Sequence, residues 1–161
     1  MTDRPAYSAA QIALHWLVAV LVVATWLTHE GMGGALRARM QAGEVSLGSS
    51  PLHVWLGLSV LALVVVRLVL RLVRGWPAPL ATSPIEARAA TWGHWLLYVL
   101  LVGVPAGGTV VWFLGQPSLG EVHDLGGNVL LILAGGHAAL ALGHHYIRKD
   151  GTLRRMLRPA P

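Results

Sequence analysis

VHDLGGNVLLILAGGHAALALGHHY, residues 122–146, decides the fold of this chain. The stretch is apolar through most of its length and long enough, as an α-helix, to cross a hydrocarbon core of about 30 Å. It holds His123 and His137 fourteen residues apart. Fourteen residues make almost four helical turns, so both imidazoles project from one face, about 21 Å apart along the axis. Two ligating side chains on one face, near opposite membrane surfaces, suggest two metal centres stacked across a bilayer.

Three earlier stretches have the same character. Residues 10–28, 52–73 and 92–114 join 125–147 as predicted spans in a chain of 161 residues, 55% hydrophobic and 12% charged, with a mean hydropathy of +0.60. Short connections make neighbouring spans antiparallel. The expectation is an all-α membrane protein: one domain over residues 1–161, a four-transmembrane-helix up-down bundle. Only Arg4 precedes the first span as a base and no small-residue cleavage site follows, so that span is read as part of the mature chain. The Pro/Ala/Ser run at residues 76–84 reads as a linker, and Pro105 with Gly107 and Gly108 is expected to bend the third span. Trp16, Trp26, Trp55, Trp92, Trp95 and Trp112 fall near span ends as an aromatic belt.

Basic residues set the expected orientation. Arg4, then Arg71, Arg74 and Arg88 around the second connection, then Arg148, Lys149, Arg154, Arg155 and Arg158 after the last span all belong to one side. The positive-inside rule makes that side cytoplasmic, with both termini. A pI of about 10.8 does not signal nucleic acid here, because these charges hug membrane ends and suit anionic lipid. The absence of cysteine excludes disulfides, thiolate-held iron–sulfur clusters and covalent c-type haem, leaving histidine as the ligand for any haem.

The eight histidines divide by depth. His15 lies near the cytoplasmic end of the first span, level with His137; His53 lies near the outer end of the second, level with His123. Each pair could clamp one haem iron from both sides. His29 competes with His53, since it follows His15 by fourteen residues, but it stands in His-Glu-Gly-Met-Gly-Gly where the helix should be ending. His53 begins Pro-Leu-His-Val-Trp-Leu-Gly, with Gly57 one turn on leaving room for a flat macrocycle, and is preferred. Arg67 repeats the fourteen-residue interval from His53, and with Arg71 it is a candidate for haem propionates, lipid phosphate being the alternative. His94, His144 and His145 are expected to converge at the cytoplasmic surface as a quinone and proton site. Interfacial snorkelling is the competing reading for these three.

Ile12-Ala-Leu-His-Trp-Leu, Pro51-Leu-His-Val, Val66-Arg-Leu-Val-Leu-Arg71, Gly93-His-Trp-Leu-Leu-Tyr98, Val122-His-Asp-Leu, the run from Gly136-His to His145-Tyr146 and the closing Lys149-Asp-Gly-Thr-Leu-Arg-Arg-Met156 together resemble the prokaryotic di-haem cytochrome b561 family over nearly the whole chain. The resemblance implies a bacterial inner-membrane cytochrome with two non-covalent b haems and axial ligands His15, His53, His123 and His137. It also implies an oxidoreductase that oxidises superoxide at the periplasmic face and reduces ubiquinone near the cytoplasmic one. Arg37 and Arg39 would steer superoxide against Glu30, Glu44, Glu121 and Asp124. The connection at residues 115–122 is shorter than this resemblance leads one to expect of superoxide-oxidising members. Two alternatives use the same residues: a membrane-anchor cytochrome serving a partner dehydrogenase, hydrogenase or periplasmic donor, and a non-haem transition-metal transporter. Sparse intramembrane carboxylates weigh against the transporter.

Overall fold

The computed structural model describes residues 7–43, 48, 50–75, 77–78 and 80–159. Arg4, Glu44 and, within the linker, Trp76 and Pro79 lie outside the described residues. The helices are α1 (Ala9–Leu27), α2 (Met32–Ala42), α3 (Leu52–Arg74), α4 (Pro84–Phe113) and α5 (Gly120–Tyr146), with 3₁₀ turns at Pro117–Leu119 and Arg154–Met156. α1, α3, α4 and α5 are long and apolar enough to cross a membrane. α1 packs on α3, α3 on α4, α4 on α5, and α5 back on α1, which closes the bundle.

Local chemistry explains where these helices start and stop. Ser8 and Gln11 form a reciprocal capping box at the start of α1, satisfying two otherwise unpaired N–H groups. Ser83 accepts from Glu86 N–H and Pro84 occupies the first turn of α4, where its missing donor costs nothing. This start lies eight residues before the one the apolar pattern predicts, and Arg88 therefore belongs to α4 rather than to the connection. α4 continues through Pro105, and Thr109 donates its hydroxyl to the Pro105 carbonyl at 2.8 Å. α5 begins at Gly120, so His123 stands inside its first turn rather than at its entrance.

The first connection holds a helix that sequence patterning did not reveal. α2 lies between Gly31 (φ 80°) and Gly43 (φ 67°), left-handed positions that favour glycine and let the chain turn sharply at both ends. It covers one end of the bundle through Leu36, which packs with Val54, Val111 and Trp112. Trp112 is buried rather than in an aromatic belt, and donates to Ser50 Oγ at 3.0 Å. That end is called distal. The start of α1 and the segment that follows α5 meet at the other end, called terminal, where Trp16 donates to the Met156 carbonyl (2.7 Å), Gln11 to Gly75 (3.3 Å) and Arg155 to Ala78 (2.9 Å).

Between the ends, Val18, Val60, Val64 and Tyr98 form the central packing cluster. Large apolar side chains such as Val20, Val73 and Ile132 face outward, as the lipid-facing surface of a membrane bundle requires. Lipid tails are as apolar as this interior, so the cluster stabilises the fold by van der Waals fit rather than by escape from water. Val64→Ala, at a side chain with no exposure, is expected to cost about 1 kcal/mol through the cavity it leaves. A lowered thermal midpoint in detergent, with unchanged helix content at low temperature, is the measurement.

Candidate functional site

α3 and α5 each bring a histidine in their first turn to the distal end. The rings of His53 and His123 stand 6.0 Å apart by centroid, at 88°. His53 Nδ1 meets the Thr25 carbonyl at 2.9 Å, and His123 Nδ1 meets the Val104 carbonyl at 2.9 Å. A carbonyl can only accept, so each Nδ1 carries the proton and each Nε2 keeps a lone pair. The cavity beside them, about 370 Å³, is walled by His53, His123, Gly57, Gly108, Trp26 and Leu36. Beyond its own stretch of helix, a Cβ at Gly57 would touch nothing within 4 Å, whereas one at Gly108 would come within 2.7 Å of His123 Cε1.

His29 lines the same cavity. Its ring stacks on Trp26 at 5.4 Å and its Nδ1 lies 2.5 Å from the Trp26 carbonyl. Thr25 and Trp26 are near the end of α1, where carbonyls lack helical partners, so one helix terminus orients both His53 and His29. The ring contact with His123 belongs to His53.

At the terminal end α1 and α5 bring His15 and His137 to 6.3 Å, at 61°. His15 Nδ1 is buried with no protein partner among the described residues. His94 of α4 joins this cluster, 5.3 Å from His137, with its Nδ1 donating to Ala90 O at 2.6 Å. Arg67 interacts electrostatically with all three imidazoles and lies over the Tyr98 ring at 5.6 Å. Arg71 is buried, its guanidinium over Trp95 (5.7 Å) and Tyr98 (5.4 Å). Tyr7, which the sequence did not single out, faces the same arginines; burial pushes its phenol up against their pull.

Among the described residues, His94, His144 and His145 have separate partners: His94 turns to His137. His144 turns to Asp150, with Nδ1 to Oδ2 at 2.5 Å, and His145 lies edge-on to Tyr146 at 4.8 Å. Asp150 was also missed; its sequence signal is Asp-Gly-Thr after a helix end, a turn in which Asp150 Oδ1 accepts from Thr152 N–H at 2.9 Å. On α2, Arg37 is exposed, while Arg39 lies over Trp112 at 5.2 Å and donates to Phe113 O at 3.3 Å. Arg39 thus holds α2 against the carbonyl end of α4. Glu121 and Asp124 line the distal cavity.

The donor sets fit haem. An iron between two imidazoles needs metal–nitrogen bonds of about 2 Å on each side, which puts the ring centres a little over about 6 Å apart. Both pairs have that spacing, and the distal pair has protonated Nδ1 atoms backed by carbonyls, the arrangement that orients a ligating Nε2.

The sequence profile of the prokaryotic cytochrome b561 family matches residues 6–159. The chain is 40% identical to cytochrome b562 of Cereibacter sphaeroides, over 99% of each protein. It is 30% identical to the probable superoxide oxidase CybB of Yersinia pestis, over 94% of this chain and 95% of that protein. It is 28% identical to cytochrome b561 homolog 1 of Escherichia coli K12, over 94% and 96%. Fold and comparisons define a haem-carrying membrane cytochrome of the b type, which transfers electrons. The chain belongs to the prokaryotic cytochrome b561 family.

Proposed function

We propose that this cytochrome carries two b haems, one between His53 and His123 and one between His15 and His137, and passes electrons from superoxide at the periplasmic face to ubiquinone near the cytoplasmic face of the inner membrane. The observation that carries this reading is the pair of imidazole couples, 6.0 and 6.3 Å across, at opposite ends of one closed bundle. When bound, each haem would supply a one-electron redox site held by its two imidazoles. The protein's own work is to hold the four imidazoles, exclude water and, through Arg67 and Arg71, receive the propionates of the terminal-end haem. Arg71, Arg74, Arg88, Arg148, Lys149, Arg154, Arg155 and Arg158 favour a cytoplasmic terminal end. The bilayer is the solvent of the remaining surface, and the chain is read as one integral domain.

The superoxide reading draws support from the similarity to the probable superoxide oxidase, and balances as two superoxide plus ubiquinone plus two protons giving two dioxygen plus ubiquinol. One observation favours the partner-donor reading instead: Glu121 and Asp124 border the distal cavity while Arg39 is engaged with α4. That rim suits a basic redox protein better than a small anion. Superoxide consumption by the haem-loaded protein, with and without ubiquinone, separates the two. Consumption that requires ubiquinone is expected; its absence in protein whose haems ubiquinone still reoxidises would sink the superoxide donor and leave the partner.

A further inference from the structure

The last turn of α5 presents His144 on the face of His137, two turns and about 10 Å further along. Beyond the helix the chain reverses through Lys149, whose φ of 53° is left-handed, and brings Asp150 back to the helix end. The Asp150 N–H donates to the His144 carbonyl at 3.2 Å, and Oδ2 lies 2.5 Å from His144 Nδ1. The other carboxylate oxygen takes the Thr152 N–H at 2.9 Å. Both side chains are partly covered, at 22% and 25% exposure.

The turn carrying Asp150 is fastened to the rest of the bundle. Arg148 pairs with Glu86 and Thr82 at the start of α4, Arg155 reaches Ala78, and the Met156 carbonyl holds Trp16 of α1. Asp150 therefore has a fixed position relative to α5. Burial works toward a neutral carboxyl there, yet hydrogen bonds from Thr152 and His144 prevail and hold Asp150 at about 2. An ionised carboxylate only accepts, so His144 carries its proton on Nδ1 and offers Nε2 to whatever approaches.

Quinone reduction at this end needs what such a pair supplies. Each quinone takes two electrons, arriving singly from two donor molecules, and two protons, which must come from water because the surrounding hydrocarbon has none to give. We infer that Asp150 is the positioning residue of a proton-delivery dyad, fixing His144 so that it passes protons from terminal-side water to the quinone oxygens. This rests on the reading above that the acceptor is a quinone. Among the described residues, the charged or titratable neighbours of the dyad in sequence are Arg148, committed to Glu86 of α4, Lys149 of the same turn, and His145, the next residue on α5.

The test compares native, Asp150→Asn, Asp150→Glu and Glu86→Gln proteins, each haem-loaded in lipid nanodiscs, pre-reduced, and mixed with ubiquinone-1 while haem absorbance is followed. Asn at 150 is expected to slow the maximal rate of reoxidation about tenfold or more, within the range of lost proton transfer, with little change in half-saturating quinone and unchanged haem content and spectrum. Glu at 150 should restore most of the rate. In the reduced, diamagnetic protein, ¹⁵N NMR should show His144 protonated at Nδ1 in the native chain and mixed in the Asn variant. Native-like reoxidation by the Asn variant overturns the dyad. So does an equal loss in Glu86→Gln with the His144 tautomer intact, which would assign the effect to docking of the turn. If ubiquinone-1 fails to reoxidise the native protein, the quinone reading falls and the dyad's role falls with it.

Discussion

Replacing His123 with alanine is expected, on the two-haem reading proposed above, to halve the haem of the purified protein, from two per chain to one, and to reduce electron transfer from the distal face to background. His123 is the imidazole that α5 offers to the distal cavity, pinned through Nδ1 to Val104 O and facing His53 across 6.0 Å. No other residue in the first turn of α5 can replace a neutral nitrogen donor, since Glu121 and Asp124 offer only hard oxygens. Alanine at His53 is a milder lesion, because His29 lines the same cavity with its Nδ1 pinned to the neighbouring carbonyl. Haem per chain by pyridine haemochrome, with low-temperature spectra to resolve the two centres, reads the result. A His123→Ala protein that keeps two low-spin haems would remove His123 from the site; a His53→Ala protein that does so only while His29 is present would restore His29 as a ligand.

The second large effect comes from a residue with no side chain. Gly108 of α4 faces the His123 ring, and an added Cβ would stand 2.7 Å from Cε1, 3.1 Å from Nδ1 and 3.2 Å from Nε2. The ring cannot retreat without giving up its bond to Val104 O or tilting α5. Gly108→Ala is therefore expected to destabilise the fold by about 1–3 kcal/mol, as overpacking does, and to displace the distal imidazole. Loss of the distal haem with retention of the other is the expected spectrum. Gly57→Ala gives the contrast: beyond its own stretch of helix, its Cβ would meet no atom within 4 Å. That variant should fold with native stability without haem yet retain distal haem poorly, because the macrocycle would lie against the new methyl group. Native-like distal haem retention by Gly57→Ala would contradict this placement of the macrocycle.

The membrane helices were legible because about twenty apolar residues in a row leave the backbone few alternatives in lipid. Depth within each predicted span was enough to put His15 level with His137 and His53 level with His123, since a helix has a fixed rise. What escaped was set by contacts across the chain. α2 was hidden because residues 32–42 mix two glycines and two arginines with apolar side chains, and it is Leu36 packing under Trp112 that anchors it. The start of α4 was hidden by the proline-rich run before it, in which Pro84 acts as a helix starter rather than a breaker. His94 could be given a depth but not a direction; its 5.3 Å approach to His137 depends on how α4 turns against α5. Arg39 read as a free surface cation until its aromatic partner was known.

α1 and α5 each reach both imidazole couples. α5 carries His123 and His137, while α1 carries His15 and, ten residues on, the carbonyl that holds His53. The gap between the two couples is thus ruled twice, by two rods whose length is set by main-chain hydrogen bonds and not by any loop. Because electron tunnelling falls off exponentially with distance, two haems held at these couples, as proposed, would exchange electrons at a rate that a connection breathing at either membrane surface leaves nearly untouched. An insertion of one residue in either rod would shift one partner of a couple about 1.5 Å along the axis and rotate it by about 100° about that axis, out of register with its mate. Loops in such a protein are free to drift in length over evolution, whereas the two rods can change only in ways that leave their interior residue count alone.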